Sequence, residues 1–146
     1  MLPAYYRFRV LNSTDQTLTY NNGARVEVRI TPWKMTSGAM AQGAEISDTT
    51  SILNAGESIA AAAEAEGDIH DNTSNLYIGF TGTFKVVADQ NSTDGTVYLF
   101  MEGSTDNSVW PSDAADFDVI KDCTLICAME LSTDAEDEDR VKDIVY

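Results

Sequence analysis

The stretch "NLYIGFTGTFKVVADQNSTDGTVYLFME", residues 75–102, decides the fold. Leu76, Ile78, Phe80, Phe84 and Val86 all stand at even positions, so an extended backbone turns them to one face. Gly79 and Gly82 lie among them and mark a bulge or bend in a long strand. After the polar run "DQNSTDG", with its Asp94-Gly95 turn signal, Val97, Leu99 and Met101 repeat the two-residue period. The pattern predicts two half-buried strands joined as a hairpin.

The same period recurs on either side. In "YYRFRVL" Tyr6, Phe8 and Val10 oppose Arg7 and Arg9, and in "ARVEVRI" Val26, Val28 and Ile30 oppose Arg25, Glu27 and Arg29. Asn22-Gly23 between them suits a tight reversal. "CTLICAMEL", residues 123–131, is apolar on both faces, which predicts a central strand. "RVKDIVY" at the C-terminus alternates more weakly and reads as an edge strand or an arm. "ESIAAAAEAEG", residues 57–67, has helix-forming residues, Ser58 as a candidate N-cap and Gly67 as a stop, so it reads as one short helix or as a strand. Residues 36–51 read as a long connection or two ragged strands.

Seven or eight short strands with at most one short helix predict an all-β protein, a β-sandwich or jelly-roll-like single domain. The N-terminal segment (about 1–12) and the C-terminal segment (about 135–146) are candidate arms. No composition break divides the 146 residues. The tripeptide Ser-Thr-Asp occurs four times without a common period, as loop chemistry reused rather than a repeat.

Twenty-four acids against nine bases give a net charge of −15. Such a chain is repelled by nucleic-acid backbones and anionic membranes, so direct nucleic acid and membrane are not expected as partners. Residues 1–34 hold five bases and two acids, and they are the only basic segment. Two readings follow for its arginines: a docking feature, or strand residues paired with the chain's own acids. No export signal or membrane-spanning run is apparent, and the expected compartment is a reducing cytoplasm. If Cys123 and Cys127 share a strand, four residues separate them by about 13 Å, too far for a disulfide.

No constellation for catalysis emerges. His70, in "GDIHDN", is the only histidine and reads as a loop residue; no glycine-flanked nucleophile elbow is present. The run "DQNSTDG" departs from an EF-hand loop, because its glycine is seventh and the twelfth position is Phe100. The carboxylates of Asp113, Asp116 and Asp118 sit in a solvated stretch, and no phosphate-cradling glycine loop occurs. No enzyme activity, cofactor or metal is expected. Trp33 and Trp110 are read either as caps on the core or as platforms for a sugar ring.

Two segments taken together carry a resemblance. "GDIHDNTSNLYIGFTGTFKV" has an Asp-Asn-Thr turn entering a Tyr-bearing strand, and "GTVYLFMEGSTDNSVWPSD" has an alternating strand, Ser-Thr-Asp and an aromatic-proline pair. This order resembles the decoration (cement) proteins of tailed-bacteriophage capsids, over residues 68–113. The resemblance implies a virion structural protein, made in the host bacterial cytoplasm and bound to the capsid exterior. Its partner would be the major capsid protein, and it would act as a homo-oligomer, dimer or trimer. No catalytic residue is transferred, and the matching positions Asp71, Asn72, Tyr77, Asp106, Trp110 and Pro111 are expected to define turns. Because the N-terminal segment is basic, Tyr5, Arg7 and Arg9 are the candidate contacts with the shell or a neighbouring subunit. The alternatives are another phage structural part, a tail or head fibre, or a glycan-binding module using Trp33 or Trp110.

Overall fold

The computed structural model describes residues 1–19, 25–48, 52, 57–87, 94–131 and 139–146. Its strands are β1 (Tyr5–Thr14), β2 (Leu18–Thr19), β3 (Arg25–Thr36), β4 (Ala39–Gln42), β5 (Ile46–Ser47) and β6 (Ser58–Ile59). They continue as β7 (Ala63–Glu66), β8 (His70–Asp71), β9 (Gly79–Val87), β10 (Gly95–Ser104), β11 (Thr124–Leu131) and β12 (Asp139–Val145). A 3-10 turn at Pro111–Asp113 and a single helical turn, α1 (Val119–Asp122), lie between β10 and β11. Sheet one runs β11-β10-β1-β7, with β8 also on β1; sheet two runs β12-β9-β3-β4, with β5 also on β3. Strands β2 and β6 form a separate small pair.

The expected all-β sandwich is present, and side-chain alternation is what closes it. Phe8, Val10, Val97 and Leu99 from sheet one meet Val28, Ile30, Phe80 and Phe84 from sheet two, none of them more than 1% exposed. Phe8 and Phe80 join the layers directly, edge to face at 5.6 Å between ring centres. Each such side chain contributes about 1.5–3 kcal/mol by leaving water.

The predicted hairpin is not formed. Strand β9 pairs with β12 and β3, while β10 pairs with β1 and β11, so the two belong to different sheets. Alternation specifies which face of a strand is buried, but a polar connection of several residues can equally turn back or cross to the opposite sheet. Residues 88–93 of that connection, with most of the calcium-like run, and the Asn22-Gly23 turn lie outside the described residues. No bulge occurs at Gly79 or Gly82, since β9 keeps a regular register with both neighbours. Gly82 instead permits close approach, because a Cβ there would collide with the Arg29 carbonyl. The register shift falls at Leu99/Phe100 of β10. Leu76 is not in the strand: it is 65% exposed in a turn with φ 53°, held by its N–H on the Asn72 carbonyl at 2.9 Å.

One reading left open is decided in favour of strand, and one expectation is corrected. Residues 57–67 form β6 and β7 rather than a helix, with Ala62 at φ 59° reversing the chain between them. Pairing with β1 and the packing of Ala63 and Ala65 on the core outweigh a weak helical preference. Strand β11 is an edge of sheet one, not a central strand, and its outward Leu125 is 53% exposed. In the described residues both terminal segments pair in sheets: β1 is flanked by β10 on one side and β7 and β8 on the other, and β12 is an edge strand of sheet two. No described helix is long and apolar enough to cross a membrane.

Candidate functional site

The candidate contact residues Arg7 and Arg9 occupy the outer face of β1, where alternation puts them, but the chain covers them. Register sets Arg7 opposite Glu102 on β10 and Arg9 opposite Glu66 on β7. The Arg7 Nε donates to Glu102 Oε1, and its other nitrogens reach Glu66 Oε2 at 3.1 Å and Ser112 Oγ at 2.9 Å. Arg9 Nη1 donates to both Glu66 Oε2 and Glu102 Oε1 at 3.0 Å, and Nη2 donates to Glu64 Oε2 at 3.0 Å. The Glu102 side chain has no exposed surface. Burial works against the charge of Arg9, but hydrogen bonds to Glu102 and Glu64 outweigh it and hold its pKa above the ordinary value.

The segment after β10 makes the lid. Ser104 and Asp106 organise its first bend: Asp106 Oδ1 accepts the N–H groups of Ser108 at 2.9 Å and Val109 at 3.2 Å. The Trp110 N–H donates to Asp113 Oδ2 at 2.7 Å, closing the 3-10 turn. Trp110 then lies over Arg7, with the guanidinium 4.6 Å from the ring centre, and Phe117 covers Arg9 at 5.0 Å. Trp110 is 7% exposed, so it is a cover on the arginine cluster rather than a platform open to a sugar. Trp33 is half-buried, its ring against Gly79. Tyr5, the third candidate contact, is half-buried at the start of β1, opposite Ser104 on β10 and Asp71 on β8.

His70 is not the loop residue expected. It sits in β8 with its side chain 13% exposed, and Nε2 lies 3.1 Å from Oδ2 of Asp48, whose side chain is 1% exposed. The imidazole also packs 5.2 Å from the Tyr6 ring. Asp48 follows β5 of sheet two and His70 belongs to sheet one, so the pair clips the sheets together beside the core. Gly67 leaves room for it, since a Cβ there would come 2.7 Å from Asp48 Oδ2. Burial of the Tyr6 phenol, with the Asp48 charge next in effect, raises its pKa well above the ordinary tyrosine range.

Both cysteines are free thiols, as expected. Cys127 lies in β11, whereas Cys123 caps the end of α1 rather than sharing that strand. Burial, helped by the charge of Glu102, pushes the Cys123 thiol up to about 12, and burial also raises Cys127. Neither is an activated nucleophile at neutral pH. Among the described residues no three His, Cys, Asp or Glu side chains converge as a metal site.

Asp48, Glu64, Glu66 and Glu102 were missed as organising residues. A signal for two of them was present: "EAE" in 64–66 repeats the two-residue period of "RFR" in 7–9 with the opposite charge. The cluster and the lid belong to an all-β sandwich whose outer-face arginines are paired within the chain. No family model matches the chain, and no curated protein or solved structure matches it either.

Proposed function

We propose that this chain is a virion structural protein, a decoration protein that binds the outside of a tailed-phage capsid and stabilises the shell. The observation that carries the reading is the paired resemblance over residues 68–113. The matching positions act as turn and packing residues: Asn72 Nδ2 donates to the Tyr77 carbonyl at 3.0 Å while the Tyr77 N–H donates to Asn72 Oδ1 at 2.7 Å. Asp71 Oδ1 accepts from the Thr73 N–H at 2.7 Å, and Asp106, Trp110 and Pro111 build the lid over the arginines. A rigid sandwich with its reactive groups paired internally suits adhesion better than turnover.

The glycan-binding alternative loses one of its two platforms, because Trp110 is covered. A fibre component remains compatible with the fold and is separated by location. The test is mass spectrometry and immunogold labelling of purified particles of the phage that encodes the chain. The reading expects the protein on the head exterior, in a number that scales with the capsid subunits, and expects heads lacking it to lose DNA at lower temperature. Labelling confined to tails or fibres, or absence from particles, overturns it.

A further inference from the structure

The nine bases are unevenly placed in the fold. Strands β3, β9 and β12 hold six of them, Arg25, Arg29, Lys34, Lys85, Arg140 and Lys142, against three acids, Glu27, Asp139 and Asp143. These strands are therefore net +3 in a chain of −15. The remaining bases are held by acids of the same chain: Arg7 and Arg9 in the lid cluster, Lys121 by Asp118.

On sheet two, alternation sends Val28, Ile30, Phe84 and Ile144 into the core and leaves Glu27, Arg29, Lys85 and Asp143 on the outer side. Among the described side chains that outer face carries two charges of each sign, and no described element crosses it. The outer face of sheet one, by contrast, is covered by the lid over Arg7 and Arg9, bordered by Glu64 and Glu66, and carries an apolar groove beyond them, lined by Leu11, Tyr98, Phe100, Ile120 and Leu125. For two molecules that repel through net charge, a balanced, open face is where close approach costs least.

Register makes this face self-complementary. Asp143, Thr83 and Arg29 lie in one cross-strand row, with Thr83 in the middle; Val145, Thr81 and Thr31 form the next row. A two-fold axis running along β9 exchanges the β12 and β3 sides of the two copies. It sets Asp143 of each copy opposite Arg29 of the other, and Val145, 70% exposed, opposite Thr31. Lys85 then falls on the axis and faces the Lys85 of the other copy, each with Glu27 beside it in its own row. Arg29 is available for this exchange, since its contact with Glu45 is long, 3.5 Å, and exposed.

We propose that the outer face of sheet two is a docking surface for a second copy of this chain, paired about a two-fold axis along β9. This does not depend on the capsid reading. Three strands by seven residues present only a few hundred Å2 per copy, below the roughly 800 Å2 of a standard interface, so the dimer is concentration-dependent.

Sedimentation equilibrium from about 10 μM to about 1 mM tests it. The wild-type chain is expected to pass from monomer to dimer. Arg29→Asp or Asp143→Arg alone should raise the dissociation constant at least tenfold, and the double reversal should restore it. Thr83→Arg, on the axis, should abolish association independently, and thermal melting confirms that each variant is folded. A wild type monomeric throughout, single reversals or Thr83→Arg without effect, or a double reversal that fails to recover overturns the proposal. So does association lost instead on Ile120→Asp, in the apolar groove of sheet one, which would assign the contact there.

Discussion

Glu102 and Arg9 meet at 3.0 Å on the outer face of sheet one, with the carboxylate wholly buried and shared with Arg7. Two guanidinium groups depend on one enclosed acid. Glu102→Gln keeps the shape and removes the one enclosed charge, leaving the arginines beneath Trp110 and Phe117 with only the more exposed carboxylates of Glu64 and Glu66. The expected loss is about 3 kcal/mol, near a 10 °C fall in Tm, read by thermal and urea unfolding. Replacing Arg7, Arg9 and Glu102 together by Leu should cost far less, because the carboxylates that then lose their partners, Glu64 and Glu66, are exposed enough to be solvated. Equal losses in the two variants would contradict the account.

The Asp48–His70 clip predicts a coupling across the sandwich. His70→Ala strands the Asp48 carboxylate, whose Oδ1 already lacks a protein partner, and should cost about 2–3 kcal/mol. In a double-mutant cycle with Asp48→Asn the interaction energy should be about 1–3 kcal/mol. Additive losses would show that the two groups do not support one another.

Cys123 provides a chemical probe of the lid. With its thiol pushed up to about 12, the thiolate fraction at pH 8 is roughly a thousandth of that of an ordinary thiol. Alkylation by iodoacetamide should be at least about 100-fold slower than for a free cysteine, and Glu102→Gln should speed it by loosening the lid. Alkylation of the folded chain at the free-thiol rate would refute the burial argument.

Acid should act through the turns. Hydrogen bonds from Thr73 hold Asp71 below the ordinary aspartate range, the Ser108 N–H chiefly does so for Asp106, and Lys121 does so for Asp118. A carboxylate with a depressed folded pKa binds its proton first in the unfolded chain. Its contribution is thus complete above the unfolded value, about 3.9, and is lost as pH falls through the lower folded value. From these turns the melting temperature should change little between neutrality and about pH 4, then fall. Asp71→Asn and Asp106→Asn should make that acid limb shallower; unchanged slopes would remove these turns from the explanation.

Much of the fold was legible because a strand's inward and outward residues are set by a local period of two. Phe8, Val10, Val28, Phe84 and Leu99 were assigned to the core on that ground, and all are buried there. The candidate site was less legible. Arg7 and Arg9 were visible as a pair on one face, yet their concealment depends on Glu102, Glu64 and Trp110, which reach them only through pairing and the returning lid. His70 was misjudged for the same reason, since Asp48 comes from the other sheet.

The residue pattern alone determined that this chain is all-β and which side of each main strand leaves water, because those depend on neighbours two positions away. Tertiary structure decided which strands are partners, why 57–67 is extended rather than helical, and which charges are spent inside. Those outcomes depend on contacts between residues dozens of positions apart, such as Arg9 with Glu64 and Glu102, where pairing energy and burial outweigh local preference.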